Sequence, residues 1–340
     1  MHIHIINSTT FGGAETVAAK LSKYFGNSQL ISIFEKDIKF KERFNVEIRG
    51  IGSLIKLFIK KNNLKVFTHN LQTHILINLF SYVGKIFFKR NFRILNVIHF
   101  DAFYVKKKWL LFYIKTLRFF KPEIIFVSKY AKLRFENLCI LKDLKTRIIY
   151  NSVDEKYFTY FGNRTLNEII SKEIHVGFIG RNKTIKRLPL FIEICDQLFK
   201  INKFKYRFVI QSDATREDLI DHVKKISHEK KIAISHKNFK LISSEDNPIN
   251  FYNKCDIVIS TSKTESFGLV GIETLAMGKR FYCINSESLK MLFGNSVINI
   301  FSEDPIFVSN FINKDVSKKY FIPDISRFKE SVMINEYSQI

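Results

Sequence analysis

The chain has 340 residues, 46% of them apolar, with 55 Lys+Arg against 32 Asp+Glu and a formal net charge of +23. That length exceeds what one core usually supports, so two domains are expected, and the apolar fraction is enough to build two cores. The charge points to a polyanionic or anionic-surface partner, whereas no run reaches the roughly 18 uncharged apolar residues of a helical membrane span and MHIHIINSTT lacks the basic-then-apolar pattern of a secretory signal.

Short β-rich apolar runs alternate with helical-period segments, the pattern of parallel sheets crossed by helices. The first strand is expected at HIHIIN (2–7), followed by the loop TTFGGAE and a helix over AETVAAKLSKYF, with Val17, Leu21, Tyr24 and Phe25 on one face. Further strands are expected at 30–34, 65–69, 93–100, 123–128 and 147–151. A second series follows: strand 175–180, a helix from about Leu188 to Phe199, strand 206–211, a charged helix near 215–228, strand KIAIS (231–235), a short helix at NPINFYNKC, then strands 256–261 and 280–285. The polar stretch Asp154 to Lys172 reads as the linker, giving an α/β protein with domains over 1–160 and 161–324 and a tail helix over 325–340 expected to return to the first domain. Such sheets bind ligands at the carboxyl ends of their strands, so a cleft fed by both halves is expected. The four cysteines, Cys139, Cys195, Cys255 and Cys283, are widely spaced in apolar segments and read as buried thiols of a reducing cytosol, with no metal site.

The stretch KTESFGLVGIETLAMGK (263–279) leaves a strand and enters a helix near Gly268, with an exposed Phe-Gly-Leu between two glutamates. Free N–H groups at that helix start suit a phosphate, and the carboxylates of Glu265 and Glu273 suit the vicinal hydroxyls of a ribose or a sugar. GFIGRNKTIKR sets Arg181 and Lys186 five residues apart after a strand, where two cations can grip a diphosphate. Gly12 and Gly13, between the first strand and first helix, let backbone approach a ligand closely. His99 closes the strand RILNVIHF, where position alone favours a structural role over a functional one. The chain lacks both the dinucleotide glycine fingerprint and the Gly-Lys-Ser/Thr phosphate loop, which lowers support for redox chemistry and nucleoside-triphosphate hydrolysis.

In order, FGGAE, VIHFD, FVSKYAK, RIIYNSVD, VGFIGRNKTIKRLPLFIEI and FYNKCDIVISTSKTESFGLVGIETLAMGK resemble the motifs of the family 4 retaining glycosyltransferases, over residues 2 to about 285. The last piece is the most specific, because the family's two glutamates are spaced as Glu265 and Glu273 are. The resemblance implies the GT-B fold, two facing Rossmann-like domains. It also implies transfer of a sugar, with retention, from a UDP- or GDP-type donor to a glycan or lipid-linked glycan in cell-surface polysaccharide synthesis, including lipopolysaccharide. By the same resemblance Arg181 and Lys186 would hold the donor diphosphate, Glu273 the ribose and Glu265 the transferred sugar. The Phe267, Gly268 and Leu269 backbone would face sugar and phosphate. Gly12 and Gly13 would approach donor phosphate or acceptor, and His99 would contact the sugar near the reacting carbon. The family's usual mechanism needs no metal and no other cofactor, and the chain has no Asp-x-Asp pair. Arg187 stands where the family commonly has glycine and Arg280 where it often has proline, while QSDAT and SESLK replace glycine-rich turns. These departures bear on the choice of base and sugar.

Residues 1–150 carry 27 Lys+Arg and 9 Asp+Glu, net +18, leaving 28 and 23, net +5, for the rest. YVKKKWLLFYIKTLRFFK, SLIKLFIKKN and KIFFKRNFR join cations to apolar bodies and suit an anionic membrane surface, so a cytoplasmic protein peripheral to the inner face of the membrane is expected. No nucleic-acid module is evident, and nucleic acid is not the expected partner. The alternatives are a nucleotide-sugar epimerase on the same fold and a non-enzymatic basic protein binding membrane or nucleic acid. The residues carry no reading of oligomeric state.

Overall fold

The structure, a computed structural model, describes every residue except 10–11, 35–37, 62, 90–91, 159–172, 295–296 and 321, and the side chains of 38, 39, 43, 87 and 88. The expected linker, Asp154 to Lys172, lies outside the described residues from position 159 onward. Two compact units emerge, Met1–Ser152 with Ser331–Ile340, and Val153–Glu330.

The first unit runs β1 (His2–Ile6), α1 (Gly13–Tyr24), β2 (Ser28–Ser32), α2 (Ile38–Phe44), β3 (Ile48–Arg49), α3 (Ile51–Lys60) and β4 (Leu64–Thr68). It continues with α4 (Leu71–Phe88), β5 (Phe92–Ile98), α5 (Lys107–Phe120), β6 (Glu123–Phe126), α6 (Lys129–Glu136) and β7 (Thr146–Ile148). Its seven strands are parallel in the order β3-β2-β1-β4-β5-β6-β7. Helices on both faces make the strands read as near-continuous apolar runs, and β1, β4 and β5 are buried over most of their length.

The second unit holds β8 (Ile174–Ile179), α7 (Leu188–Ile201), β9 (Tyr206–Ser212), α8 (Arg216–Glu229), β10 (Phe239–Ser243) and α9 (Pro248–Asn253). After these come β11 (Ile257–Ser260), α10 (Leu269–Ala276), β12 (Arg280–Ile284), α11 (Glu287–Phe293), β13 (Ile298–Ile300) and α12 (Pro305–Asp315). This sheet is also parallel, in the order β10-β9-β8-β11-β12-β13. α7 packs on it through Leu188, Phe191, Ile192, Cys195 and Leu198, spaced three and four apart. The last helix, α13 (Glu330–Ser338), buries Met333, Ile334 and Tyr337; Tyr337 meets Phe67 edge-on at 5.9 Å, and the Arg93 guanidinium bonds the Ile340 carbonyl.

One expected strand is not formed. In KIAIS the amides of Ala233 and Ile234 donate to the buried carboxylate of Asp196, at 2.6 and 3.2 Å, instead of to a sheet ladder, and Phe239–Ser243 takes the place beside β9. The two- and three-residue strands β3 and β13 are too short to leave a periodic signal. All four cysteines are buried free thiols.

Candidate functional site

In each sheet the strand order reverses between two neighbours, β1 and β4 in one unit and β8 and β11 in the other. At such a point the following loops diverge, leaving room at the carboxyl ends for a ligand.

In the second unit that position joins the loops after β8 and β11. Arg181 lies just past β8, and Lys186 ends a 3₁₀ turn over Thr184–Lys186. The Thr261 hydroxyl, just past β11, donates to the Lys186 and Arg187 carbonyls at 2.8 and 3.1 Å, and the Lys263 amide donates to the Ile185 carbonyl at 2.9 Å. So held, Lys186 Nζ reaches Glu265 Oε1 at 2.5 Å, with the two side chains 24% and 15% exposed. Two of the residues expected to hold diphosphate and sugar therefore meet directly, 79 positions apart in the chain.

Gly268 caps α10 at φ +85°, in the left-handed region, and a Cβ there would run into Leu289. The backbone conformation favours glycine, and a larger residue would also have to displace the Leu289 methyl. Gly268 has no side chain with which to cap α10, whose start carries the positive end of the helix dipole, and the Gly271 amide donates to the Gly268 carbonyl at 3.0 Å. Leu269 is the first helical residue. Phe267 departs from expectation: it is 3% exposed and packs edge-on against Phe328 at 5.7 Å, so the side chain anchors the loop and leaves only its backbone to face a ligand. Glu273, one turn into α10, accepts a 2.7 Å hydrogen bond from the hydroxyl of Tyr252. Burial, together with the adjacent Glu273 carboxylate, pushes the Tyr252 phenol up, so it stays a donor.

Two departures from the family pattern are held by side chains. Arg187, at φ +52°, bonds the Thr261 carbonyl and pairs with Glu303 at 2.8 Å, and that pairing holds the Glu303 carboxyl below its usual range. Arg280 is buried, and its guanidinium satisfies the Asp315 and Lys318 carbonyls at the end of α12.

In the first unit Gly12 caps α1 with extended backbone, φ −156°, which any residue adopts, and Gly13 is the first helical residue. Glu15, in the same turn, is buried and accepts from the Asn70 amide at 3.1 Å. A carboxylate in that turn disfavours a second anion there and favours a hydroxyl-bearing ligand over a phosphate. His99, just past β5, bonds through Nε2 to His69 Nδ1 at 3.0 Å, and His69 Nε2 lies 3.2 Å from His4 Nδ1. Burial holds His4 and His99 down to about 3; burial and the neighbouring imidazoles hold His69 well below the ordinary histidine range. Tyr252, Thr261, Glu15, Asn70, His69 and His4 escape sequence reasoning, because each acts through a partner distant in the chain. Among the described residues no group of three His, Cys, Asp or Glu could hold a metal ion.

Residues 163–305 match the family model described as glycosyl transferases group 1. The chain is 22% identical over 376 residues to an uncharacterized 41.2 kDa protein in the cps region of Klebsiella pneumoniae, covering 100% of this chain and 99% of that protein. It is 26% identical over 161 residues to the N-acetylgalactosamine-N,N'-diacetylbacillosaminyl-diphospho-undecaprenol 4-alpha-N-acetylgalactosaminyltransferase of Campylobacter jejuni, 47% of this chain and 40% of that enzyme. Among solved structures it superposes on HepE of Anabaena in complex with UDP-glucose, with a TM-score of 0.81 and 15% identity over 99% of this chain and 98% of that one.

Proposed function

From the premise that the chain belongs to the glycosyl transferases group 1 and has the GT-B fold, we propose that it moves a sugar, with retention, from a nucleotide-sugar donor to a glycan or lipid-linked glycan acceptor in cell-surface polysaccharide synthesis. The observation that carries this reading is the Lys186–Glu265 contact in the loop that leads to the start of α10. A diphosphate would take Lys186 and Arg181 as its cations and the α10 amides as donors. Glu265, released from Lys186, would accept hydrogen bonds from the sugar, and Glu273, oriented by Tyr252, from the ribose. In the transfer the bond from C1 to the diphosphate oxygen breaks with its electron pair leaving on the diphosphate. The acceptor oxygen bonds C1 on the same face, and its proton passes to the departing oxygen. Lys186 and Arg181 stabilise the charge that develops, the part a divalent metal plays elsewhere, so metal independence belongs to the proposal. The Glu15 carboxylate favours an acceptor hydroxyl over donor phosphate at Gly12 and Gly13.

We also infer a peripheral position at an anionic membrane for the first unit. Residues 48–122 contain 15 Lys+Arg and one acid, Asp101. α3, α4 and α5 follow β3, β4 and β5, and right-handed crossovers put all three on one sheet face. Their outer surfaces expose Ile55 and Ile59 on α3, Tyr82, Val83 and Ile86 on α4, and Phe112 and Phe119 on α5. A solvated face would be polar there; apolar stripes among cations suit lipid headgroups. Among the described residues no helix is long and apolar enough to cross a membrane.

The test is thermal stability with UDP, GDP, CMP and their sugars, in chelator, on the native protein and on Lys186→Met and Glu273→Gln. We expect a selective rise with one nucleotide, UDP first, and loss of it in both variants with the unliganded melting point little changed. No rise with any nucleotide, or an undiminished rise in both variants, would overturn the assignment.

A further inference from the structure

The first unit aligns three imidazoles. His4 lies in β1, His69 follows β4 and His99 follows β5, and these strands are neighbours in the sheet. His4 is level with Phe67, and Thr68 with Asn96. Each histidine is therefore displaced by two residues, toward the carboxyl ends, from the position level with the one before it. Because side chains alternate with a period of two, all three project from the same face. Burial keeps them neutral, so each imidazole has one N–H and one bare nitrogen. The line can then run in only two senses. Run inward, it ends in an N–H at His4 Nε2, which is buried without a partner among the described residues, on a ring stacked 4.8 Å from Phe67. Run outward, the same atom is a bare acceptor, and buried unpaired acceptors are better tolerated than buried unpaired N–H groups.

We propose that the line is polarised outward, His4 Nδ1–H to His69 Nε2 and His69 Nδ1–H to His99 Nε2, so that His69 is a positioning residue that fixes His99 as the neutral Nδ1–H tautomer. Resting on the transferase reading, this would make His99 take part in the reaction as a neutral imidazole, neither a base nor a cation. His4 supplies the direction and His69 transmits it.

The experiment is nitrogen NMR of histidine-labelled full-length protein, resonances assigned by single His→Gln variants, on the native chain, His69→Leu and His69→Asn. The asparagine amide can replace the donating Nδ1–H; leucine cannot. We expect His99 to carry its hydrogen on Nδ1 in the native chain and in His69→Asn, and to lose that preference in His69→Leu. A native His99 protonated at Nε2, or one whose tautomer ignores both substitutions, would overturn the proposal. Turnover of the nucleotide-sugar selected by the melting screen should fall about tenfold to a hundredfold in His69→Leu at unchanged donor affinity, and largely return in His69→Asn. Equal turnover in all three chains would overturn the positioning role. Failure of every nucleotide to bind would remove the transferase reading alone, since the nitrogen spectrum is read without substrate.

Discussion

The contact between Lys186 and Glu265 joins two groups that a bound donor would use separately, so each masks the other in the unliganded protein. Glu265→Gln should therefore release Lys186 and tighten the free nucleoside diphosphate that the melting screen selects by about threefold to tenfold, the worth of roughly 1 kcal/mol of ion pairing, while weakening its sugar conjugate relative to it. Calorimetric titration reads both, and a loss of affinity for the free nucleoside diphosphate would contradict the arrangement. The buried imidazoles make a second prediction. His4, His69, His74 and His99 all have folded pKa values depressed by burial, His4 and His99 to about 3, against an ordinary value of 6.5. The unfolded chain thus binds protons that the folded one refuses. The stability they contribute is complete above about pH 6.5 and is lost as pH falls toward the folded values, by up to about 1.4 kcal/mol per pH unit for each imidazole. Urea unfolding from pH 7.5 to 5 should show that decline, and a flat profile would contradict it. The candidate residues of the second unit could be singled out in the sequence because arginine, lysine and paired glutamates at strand ends carry their chemistry in their type. The histidine line was not, because its meaning depends on a register among β1, β4 and β5 that no local pattern encodes.

α10 shows how an element depends on the local sequence at its start. Its start needs a residue that accepts φ +85° and has no side chain to meet Leu289. Gly268→Ala should cost about 1–3 kcal/mol in urea unfolding and weaken nucleotide binding as the first amides are displaced. An alanine variant of native stability and affinity would show that the turn adapts freely. Arg187 has a similar conformation, φ +52°, without glycine, because its guanidinium is bonded to the Thr261 carbonyl and Glu303. The strands and helices that were expected formed within a few residues of their expected positions, KIAIS apart, whereas α4, the longest described helix, was not expected. KIAIS misled because an extended apolar run looks the same whether its amides bond a neighbouring strand or, as here, the carboxylate of Asp196.

For the whole molecule, the uneven charge becomes a surface only once α3, α4 and α5 lie side by side on one sheet face. The Asn78 amide donates to the Thr116 hydroxyl at 3.2 Å between α4 and α5, and outside it Tyr82 meets Phe119 edge-on at 5.5 Å. The protein should sediment with vesicles of phosphatidylcholine and phosphatidylglycerol, less so as salt rises, and little with phosphatidylcholine alone. The pair Ile86→Glu and Phe119→Glu should abolish that binding while leaving nucleotide binding intact. Equal binding to neutral vesicles, or binding undiminished in the double variant, would remove the membrane from the proposal. The α/β class, the parallel sheets and most of the strand-end residues followed from the sequence by itself, because periodicity, glycine position and side-chain charge are local properties. Tertiary structure alone decided that Phe267 is an anchor, that Lys186 meets Glu265 and that three histidines share one face, because contact between distant positions is set by strand order and register.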